Sequence, residues 1–303
     1  MSAVRHILDI DDLSAAELAD VLERSADPSP EKVLAGLGVG LIFEKASART
    51  RSATEMAVVA LGGHPVTMKG DEVGIDARET AEDVARTLAS YHAAIGARVY
   101  DHRVLQRMAA VSAVPVVNLL SDVAHPCQAV ADLLTLRERF GALKGLRVAY
   151  LGDFNNVARS LAIAAALSGV ELVVAGPPGF GPTDEDVDHV AALGGALQLA
   201  DRPDQAVAGA DAVYTDVWVS MGQEDEAEAR KRAFEGFGVT ESILSAASDR
   251  AIFLHCLPAH RGEEVDASVV DGPQSAVWQQ AANRLAAARG VLWWVMDASR
   301  KLS

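Results

Sequence analysis

Phe43-Glu44-Lys45-Ala46-Ser47-Ala48-Arg49-Thr50-Arg51 is the stretch around which the chain is organised. A short apolar run over residues 39–43 predicts a buried strand, and a pattern over residues 52–61 predicts a helix that ends at Gly62. Two arginines and two hydroxyl residues therefore lie at a strand-to-helix turn, where free backbone N–H groups and the helix dipole favour an anion. The stretch predicts a phosphate-binding turn, although a capped helix with surface arginines fits it equally well.

Strand and helix patterns alternate along the first half of the chain. Apolar runs that predict strands occupy residues 64–68, 94–100 and 114–119, and helix patterns between them occupy residues 79–92 and 104–110. This alternation is typical of an α/β fold with a parallel sheet. Because ligands bind beyond the carboxyl ends of parallel strands, we expect the turn after Phe43, Arg98 and the loop of residues 121–128 to share one sheet edge.

A second α/β pattern follows a long helix pattern over residues 126–139. Its strand patterns cover residues 146–152, 170–175, 212–215 and 251–254, and a last long helix pattern covers residues 275–289. We therefore predict the α/β class, with two α/β domains, each with a mainly parallel sheet flanked by helices, joined by bridging helices. The expected domains are residues 1–140 and 146–274.

The composition excludes several classes of partner. The chain has 303 residues, half of them hydrophobic, which suffices for two domains with separate cores. Its net charge of −15 argues against nucleic acid and anionic membranes as partners, so an anionic substrate needs a local basic cluster. The two cysteines, Cys127 and Cys256, suggest neither a disulfide framework nor a metal site. Residues 1–12 lack the apolar core of a secretory signal, so we expect a cytoplasmic protein.

Two later turns carry polar residues whose role is ambiguous when each is considered alone. Gly152-Asp153-Phe154-Asn155-Asn156 lies where a dinucleotide fingerprint would lie, but it lacks the second and third glycines, which argues against NAD. Its asparagines are equally typical of a helix N-cap. His255-Cys256-Leu257-Pro258 follows a buried strand, where a lone cysteine more often belongs to the core than to a site.

Four motifs in one order resemble a known family. Ser47-Ala48-Arg49-Thr50-Arg51 resembles the Ser-Thr-Arg-Thr-Arg signature of carbamoyltransferases, with Ala48 in place of the first threonine. The other three are His125-Pro126-Cys127-Gln128, Asp216-Val217-Trp218-Val219-Ser220-Met221-Gly222-Gln223-Glu224 and His255-Cys256-Leu257-Pro258. Together they resemble the ornithine carbamoyltransferases of the aspartate/ornithine carbamoyltransferase family, and the similarity extends over nearly the whole chain.

The resemblance implies a carbamoyl phosphate site in the first domain. Its implied binding residues are Ser47, Ala48, Arg49, Thr50, Arg98, His125, Gln128 and Arg284. Hydroxyl and guanidinium groups at the helix start suit the phosphate dianion, and the family's contact at Ala48 is partly through the backbone. Arg98, His125 and the Thr50 hydroxyl suit the carbonyl oxygen as an oxyanion clamp, and Gln128 suits the carbamoyl NH₂ group.

The resemblance also implies an ornithine site in the second domain. Its implied residues are Asn156, Asp216, Ser220, Met221, Cys256 and Leu257. In the family, the matching asparagine holds the α-carboxylate, the aspartate and serine hold the α-amino group, and the backbone around the methionine faces the carboxylate. The Cys256 thiol and the Leu257 carbonyl would orient the δ-amine, so Cys256 would not be a covalent nucleophile. The implied catalytic residues are Arg98, His125 and Cys256.

The implied reaction transfers the carbamoyl group of carbamoyl phosphate to the δ-amine of L-ornithine, which yields L-citrulline and phosphate without a metal or organic cofactor. Carbamoyltransferases that use aspartate, putrescine or acetylornithine stay open as alternatives, as does a binding homologue without activity. The sequence leaves open whether the enzyme serves arginine synthesis or breakdown.

The family further implies an assembly. Its C-terminal helix, here residues 275–303, returns to the first domain, and its members form homotrimers or multiples of trimers with active sites shared between subunits. The loop of residues 69–78 would reach the carbamoyl phosphate site of the neighbouring subunit. This loop departs from the family because Glu72-Val73-Gly74 stands where Gln-Leu-Gly is usual, so the contacting residue stays open.

Overall fold

A computed structural model describes residues 4–219 and 224–302 of the chain. The α-helices are α1 (Ala15–Ala26), α2 (Ala48–Ala60), α3 (Gly70–Val73), α4 (Ala81–Ala89), α5 (His102–Val111), α6 (Pro126–Phe140), α7 (Asn156–Ser168), α8 (Asp184–Ala192), α9 (Pro203–Val207), α10 (Ala227–Ala233), α11 (Glu241–Ser245), α12 (Ala267–Val270) and α13 (Val277–Leu302). The strands are β1 (Gly38–Phe43), β2 (His64–Lys69), β3 (Ala94–Arg98), β4 (Val116–Leu120), β5 (Arg147–Leu151), β6 (Glu171–Ala175), β7 (Leu197–Ala200), β8 (Ala212–Thr215) and β9 (Ile252–His255).

The chain divides into two compact units. Unit 1 comprises Met1–Leu134 and Asn283–Ser303, and unit 2 comprises Thr135–Ala282. The chain passes from unit 1 to unit 2 within α6 and back within α13. None of the helices in the described residues combines the length and the apolar composition that a bilayer-spanning helix needs.

Unit 1 is built on a four-stranded sheet in the order β2-β1-β3-β4, whose neighbouring strands all run parallel. The apolar residues of β1 are buried, as the sequence predicts. In the register, Phe43 pairs with Arg98, and Arg98 pairs with Leu120, so β1, β3 and β4 end at the same edge. Because β1 connects to β2 on one side and β3 lies on its other side, the topological switch point falls between the ends of β1 and β3.

Unit 2 is built on a five-stranded parallel sheet in the order β7-β6-β5-β8-β9. In the register, Leu151 pairs with Thr215, and Thr215 pairs with His255. The residues that follow β5, β8 and β9 therefore leave the sheet side by side. The switch point of this sheet falls between β5 and β8, where the strand order reverses. Two parallel sheets flanked by helices confirm the predicted α/β fold class.

Several element boundaries differ from the sequence prediction. The helix predicted from residue 52 begins at Ala48, one turn earlier, because the Ser47 hydroxyl accepts the Thr50 N–H and caps the helix there. The loop of residues 69–78 contains the short helix α3. The last helix extends to Leu302, and the short edge strand β7, with half-exposed and exposed side chains, gave no clear strand pattern.

Candidate active site

A polar cluster in unit 1 includes the start of α2. Ser47 is the N-cap, and its hydroxyl oxygen accepts the Thr50 N–H at 3.2 Å. The first turn of this helix, all of it described, carries no acidic side chain. Thr50 is buried, whereas Arg49 is exposed on the same turn. The helix start therefore presents backbone donors and one exposed guanidinium group, a combination that suits a phosphate dianion.

Two buried arginines meet at the Thr50 hydroxyl. Arg98, at the end of β3, donates from Nη1 to Thr50 Oγ1 at 3.1 Å, and Arg284 on α13 donates from Nη2 to the same oxygen at 3.1 Å. Arg284 Nη1 also donates to Gln128 Oε1 at 2.5 Å. Because the Thr50 oxygen accepts both bonds, its own proton can be donated to a ligand. Two guanidinium groups with little exposure make this cluster strongly cationic within an acidic chain.

His125 lies in the same cationic environment and is buried. Burial lowers the pKa of its imidazole well below the ordinary value, and the charges of Arg284 and Arg98 lower it further. The ring is therefore neutral near pH 7. A neutral imidazole can donate one N–H to a carbonyl oxygen without adding another positive charge to the cluster.

A buried polar network supports the loop that carries His125. Asn118 on β4 donates from Nδ2 to Leu8 O at 2.8 Å and to Ser121 Oγ at 3.2 Å. Ser121 Oγ also lies 2.8 Å from His102 Nδ1 and accepts the Ala124 N–H at 3.2 Å. These bonds tie the loop before His125 to the sheet. The signal for this support in the sequence is a lone asparagine, Asn118, within an apolar strand pattern.

Gln128 and Cys127 follow His125 in the first turn of α6. Gln128 is buried, accepts from Arg284 and donates from Nε2 to Asp132 Oδ1 at 2.7 Å, so its amide orientation is fixed. Its Oε1 retains a lone pair for another N–H. Burial raises the pKa of the Cys127 thiol to about 11, and its Sγ faces Asn118 O at 3.9 Å. Cys127 is therefore a packing residue without thiolate chemistry.

Unit 2 places a second cluster at its switch point. Asp216 directly follows β8 and is buried. Its Oδ1 accepts the Val217 N–H at 2.8 Å and the Cys256 thiol at 2.9 Å, and its Oδ2 accepts Asn155 Nδ2 at 2.9 Å. Asn156 is half-buried and is the first residue of α7. Hydrogen bonds thus join one carboxylate, one thiol and one side-chain amide.

The turn after β9 presents Cys256 and Leu257 in a fixed conformation. Leu257 has a φ of 61°, in the left-handed region that non-glycine residues rarely adopt. His255 holds it there, because its Nδ1 accepts the Leu257 N–H at 2.9 Å while its Nε2 lies 3.1 Å from Glu264 Oε1. This pairing assigns the ring proton to Nε2. A backbone conformation of this strained kind is common at ligand sites.

Arg230 on α10 holds the segment that leads to Ser220. Its Nε donates to the Trp218 carbonyl at 2.6 Å, and its guanidinium forms an ion pair with Asp153 and lies 4.9 Å from the ring centre of Phe180. Burial raises the pKa of the Asp153 carboxyl, and the Arg230 charge opposes that shift. Ser220 and Met221, which the sequence assigns to the ornithine site, lie outside the described residues.

Within the described ranges, two groups of side chains bring potential metal ligands within 4.8 Å of one another. They are Asp216, His255 and Cys256, and His260, Glu263 and Glu264. In the first group, hydrogen bonds occupy both His255 nitrogens and the Cys256 proton. In the second, Lys231 binds Glu263 at 2.7 Å. Protein hydrogen bonds and ion pairs thus account for both groups.

Comparison with known families matches two consecutive parts of the chain to two domains of one family. Residues 5–138 match the carbamoyl-P binding domain of aspartate/ornithine carbamoyltransferase, and residues 144–295 match the Asp/Orn binding domain of the same family. The chain belongs to the aspartate/ornithine carbamoyltransferase family. These matches cover most of the sequence and confirm the resemblance drawn from the four motifs.

Individual members of this carbamoyltransferase family match over nearly their full length. The ornithine carbamoyltransferase of Acidothermus cellulolyticus is 48% identical, with 98% of each chain covered. A Pyrococcus furiosus protein named ornithine carbamoyltransferase, anabolic, is 44% identical, with 97% of each chain covered. The solved structure of ornithine carbamoyltransferase from Pyrococcus furiosus has a TM-score of 0.92 at 43% identity and covers 97% of this chain and 98% of its own.

The structure brings together some of the carbamoyltransferase motif residues and adds others. Hydrogen bonds join Thr50, Arg98, Gln128 and Arg284 in unit 1, and Asp216 and Cys256 in unit 2. Sequence reasoning missed the contributions of Asn155 and Arg230. The Gly152–Asn156 turn was a partial signal for Asn155, whereas Arg230 stands in a run of charged helix residues that does not distinguish it from a solvated face.

Proposed function

We propose that this chain is an ornithine carbamoyltransferase, which transfers the carbamoyl group of carbamoyl phosphate to the δ-amine of L-ornithine and forms L-citrulline and phosphate. The observation that carries the proposal is the donor set around Thr50. Two buried guanidinium groups and a neutral imidazole match a substrate with both a dianion and a carbonyl to polarise. Relatives named ornithine carbamoyltransferase support ornithine as the acceptor.

The first domain, residues 1–140 with the C-terminal helix of residues 275–303 that returns to it, is proposed to bind carbamoyl phosphate. The proposed ligands are Ser47, Ala48, Arg49, Thr50, Arg98, His125, Gln128 and Arg284. The helix start and Arg49 hold the phosphate. Arg98, His125 and the Thr50 hydroxyl donate to the carbonyl oxygen, and Gln128 Oε1 accepts from the carbamoyl NH₂ group. Hydrogen bonds already join Arg98 and Arg284 to Thr50, and Arg284 to Gln128, so these groups would need little reorganisation during the reaction.

The second domain, residues 146–274, is proposed to bind ornithine. Asp216 and Ser220 hold the α-ammonium group, while Asn156 and the backbone of Met221 hold the α-carboxylate. Because the Cys256 thiol donates its proton to Asp216, its sulfur lone pairs can accept an N–H of the δ-amine. The Leu257 carbonyl accepts another. These two acceptors leave the nitrogen lone pair free to attack.

The proposed mechanism is direct attack without a covalent enzyme intermediate. The ornithine δ-amine resembles lysine, with a pKa near 10.4, so the reactive form has lost a proton, and desolvation favours that neutral form. The amine attacks the carbamoyl carbon and forms the C–N bond, and Arg98, His125 and Thr50 stabilise the tetrahedral oxygen. The C–O bond to phosphate then breaks, and the leaving phosphate takes the proton that the attacking nitrogen loses. This chemistry requires no metal or organic cofactor.

The acceptor specificity is tested by one assay run in parallel. Purified protein would be supplied with carbamoyl phosphate and with ornithine, putrescine, aspartate or acetylornithine, and phosphate release and the carbamoylated product would be measured. We expect ornithine to give at least a hundredfold higher kcat/KM than the others, because the proposed site binds both the ammonium and the carboxylate group of an amino acid. Putrescine lacks the carboxylate, acetylornithine lacks the charged α-ammonium group, and aspartate lacks the δ-amine. A preference for another acceptor would overturn the ornithine assignment, and the absence of product with all four would overturn the enzyme assignment.

We further propose that the protein is a cytoplasmic homotrimer, or a multiple of one, with shared sites, and that it serves arginine biosynthesis. Exposed apolar side chains on α2 and β2, among them Met56, Val59 and Val66, support self-association through unit 1. Both cysteines are free, which fits a reducing compartment. The name of the Pyrococcus furiosus relative favours the biosynthetic direction. Nucleic acid and membrane are not among the proposed partners.

A further inference from the structure

Asn155 joins the start of α7 to the carboxylate of Asp216. Its Oδ1 accepts two backbone N–H groups of the helix, from Val157 at 2.9 Å and from Ala158 at 3.2 Å. Its Nδ2 donates to Asp216 Oδ2 at 2.9 Å. The cap fixes which way the amide faces, because only the oxygen can accept the helix N–H groups. The amide nitrogen must therefore point at Asp216.

The chemistry of this position is selective for asparagine. Serine, threonine and aspartate also cap helices well, but ionised aspartate has no donor, and a hydroxyl must accept and donate through one and the same atom. Asparagine alone satisfies the helix and supplies an N–H to the carboxylate. The N-cap role by itself does not account for the residue type, whereas the two roles together do.

Asp216 is held in one rotamer by three donors that come from three different elements. Asn155 binds Oδ2, while Val217 N–H and the Cys256 thiol bind Oδ1. The donor from Asn155 is the one that fixes Oδ2. Without the Asn155 N–H, Oδ2 of Asp216 would be free to move. Because the Cys256 thiol binds the same carboxylate, the thiol would also change position.

We propose that Asn155 is a positioning residue for the acceptor amino acid, which sets the orientation of the Asp216 carboxylate and thereby that of the Cys256 thiol. Asn155 itself need not touch the substrate. The inference rests on the proposed function, because it assumes that Asp216 binds the α-ammonium group and that Cys256 orients the reacting amine. It adds a residue outside the set of substrate ligands assigned from the family resemblance.

Two substitutions at Asn155 distinguish its role as the N-cap of α7 from its role as a hydrogen-bond donor to Asp216. Asn155→Ser keeps a side-chain cap and removes the N–H that binds Asp216. Asn155→Asp keeps the cap and places a second carboxylate against Asp216, next to the Asp153–Arg230 pair and to His255 and Cys256. Thr183→Ala, which removes the N-cap of α8 in the same unit, serves as a control for the loss of a cap alone.

The measurements are KM and kcat for both substrates, together with the melting temperature. We expect Asn155→Ser to raise the KM for ornithine about tenfold or more, since a hydrogen bond to a charged group is lost, with the KM for carbamoyl phosphate and the melting temperature nearly unchanged. Asn155→Asp should raise the KM for ornithine further. Thr183→Ala should lower the melting temperature slightly without changing either KM. Wild-type ornithine kinetics in both Asn155 variants would overturn the inference.

A double-mutant cycle with Asp216→Asn distinguishes failure of this inference from failure of the proposed function. If Asp216→Asn leaves the ornithine KM unchanged, the proposed ornithine site is wrong. If Asp216→Asn raises that KM, Asn155→Ser should add much less in the Asp216→Asn background than in the wild type, because both act through one carboxylate. Fully additive effects would show that Asn155 has only a structural role and would refute the positioning role.

Discussion

His125 is buried near two guanidinium groups, which makes its neutral form the stable one in the folded chain. Unfolding exposes the imidazole, whose pKa then returns to about 6.5. Below that pH the unfolded state binds a proton that the folded state does not, so folding stability contributed by this residue is complete above pH 6.5 and decreases as the pH falls. A single histidine can thus make the protein acid-sensitive.

This linkage predicts a measurable difference in a His125→Gln variant. Between pH 7.5 and pH 5.5 the wild type should lose about 1.4 kcal/mol more unfolding free energy than the variant, because glutamine binds no proton. Chemical denaturation at both pH values measures the difference. His64→Gln, at an exposed position on β2, is the matched control. Equal acid sensitivity in His125→Gln and the wild type would contradict a neutral buried His125.

Arg49 is the exposed guanidinium group at the start of α2, and its proposed role is to bind the phosphate group. Arg49→Ala should lower kcat/KM for carbamoyl phosphate by about 2 to 4 kcal/mol of transition-state stabilisation, since a charge-assisted contact to a dianion is lost. Arg51→Ala is the control, because Arg51 pairs with Glu55 at 2.8 Å on the same helix. Steady-state kinetics with both variants provide the test, and equal effects would remove Arg49 from the site.

The candidate site residues differ in how visible they are in the sequence. Arg49 and His125 could be proposed because each lies in a motif that follows a strand pattern, and Arg98 because it lies near the end of a strand pattern. The contribution of Asn155 could not, because an amide that caps a helix and also binds a carboxylate depends on the distance between two turns that lie far apart in sequence. A distance between two residues that lie far apart in sequence cannot be predicted from the residues next to each of them.

At the scale of helices and strands, alternation predicts the parallel sheets, while strand order follows from contacts between distant segments. The sequence identified β1, β3, β5 and β8 because apolar runs bounded by turns predict buried strands. It missed the edge strand β7, where burial is too low to leave a pattern. It also placed the start of α2 one turn late, because Ser47, Arg49 and Thr50 were interpreted as a turn although the hydroxyl cap continues the helix through them.

Helix α13 packs against α1 at a glycine that tolerates no side chain. A Cβ on Gly290 would lie 2.0 Å from Ser25 Oγ and 2.7 Å from the Val21 carbonyl oxygen. Glycine-to-alanine changes inside helices are normally stabilising by about 1 kcal/mol. Here the overlap should outweigh that gain, so Gly290→Ala should cost about 1 to 3 kcal/mol and lower the melting temperature by several degrees.

A second variant shows whether this overlap is the cause. Ser25→Gly removes the closest atom but leaves the backbone oxygen of Val21 in place. Combined with Gly290→Ala, it should recover part of the melting temperature relative to Gly290→Ala alone. Calorimetry of the three variants measures the effect. A Gly290→Ala variant as stable as the wild type would contradict the close packing of α13 on α1.

At the scale of the whole molecule, the proposed sharing of active sites between subunits depends on the loop of residues 69–78. Most of its side chains are exposed, yet its conformation is anchored, because Arg107 on α5 pairs with Asp76 at 2.7 Å and with Glu82 at 2.6 Å. Asp76 has a φ of 57°, which this pairing helps to maintain. An anchored but exposed loop at the end of the edge strand β2 is suited to contact another subunit.

A mixing experiment tests whether this loop completes the site of a neighbouring subunit. Cys256→Ala and a deletion of residues 70–75 would each be inactive alone, the first for lack of the thiol and the second for lack of the loop. The two proteins would be unfolded together, refolded as a mixture and assayed for citrulline after the trimer fraction is isolated. A site is intact when its own subunit has Cys256 and its neighbour has the loop, so roughly a quarter of the sites should be active under head-to-tail geometry.

A second mixture controls for activity that returns without any sharing of sites between subunits. Cys256→Ala combined with Asp216→Asn should give no restored sites, because both residues belong to the same cluster within one subunit. Restoration in the first mixture, with activity in the second no higher than the mean of its two unmixed variants, would support a site built from the loop of one subunit and the thiol of another. If both mixtures form trimers and both stay at background, the loop acts only within its own subunit, because head-to-tail sharing necessarily regenerates intact sites in a random assembly.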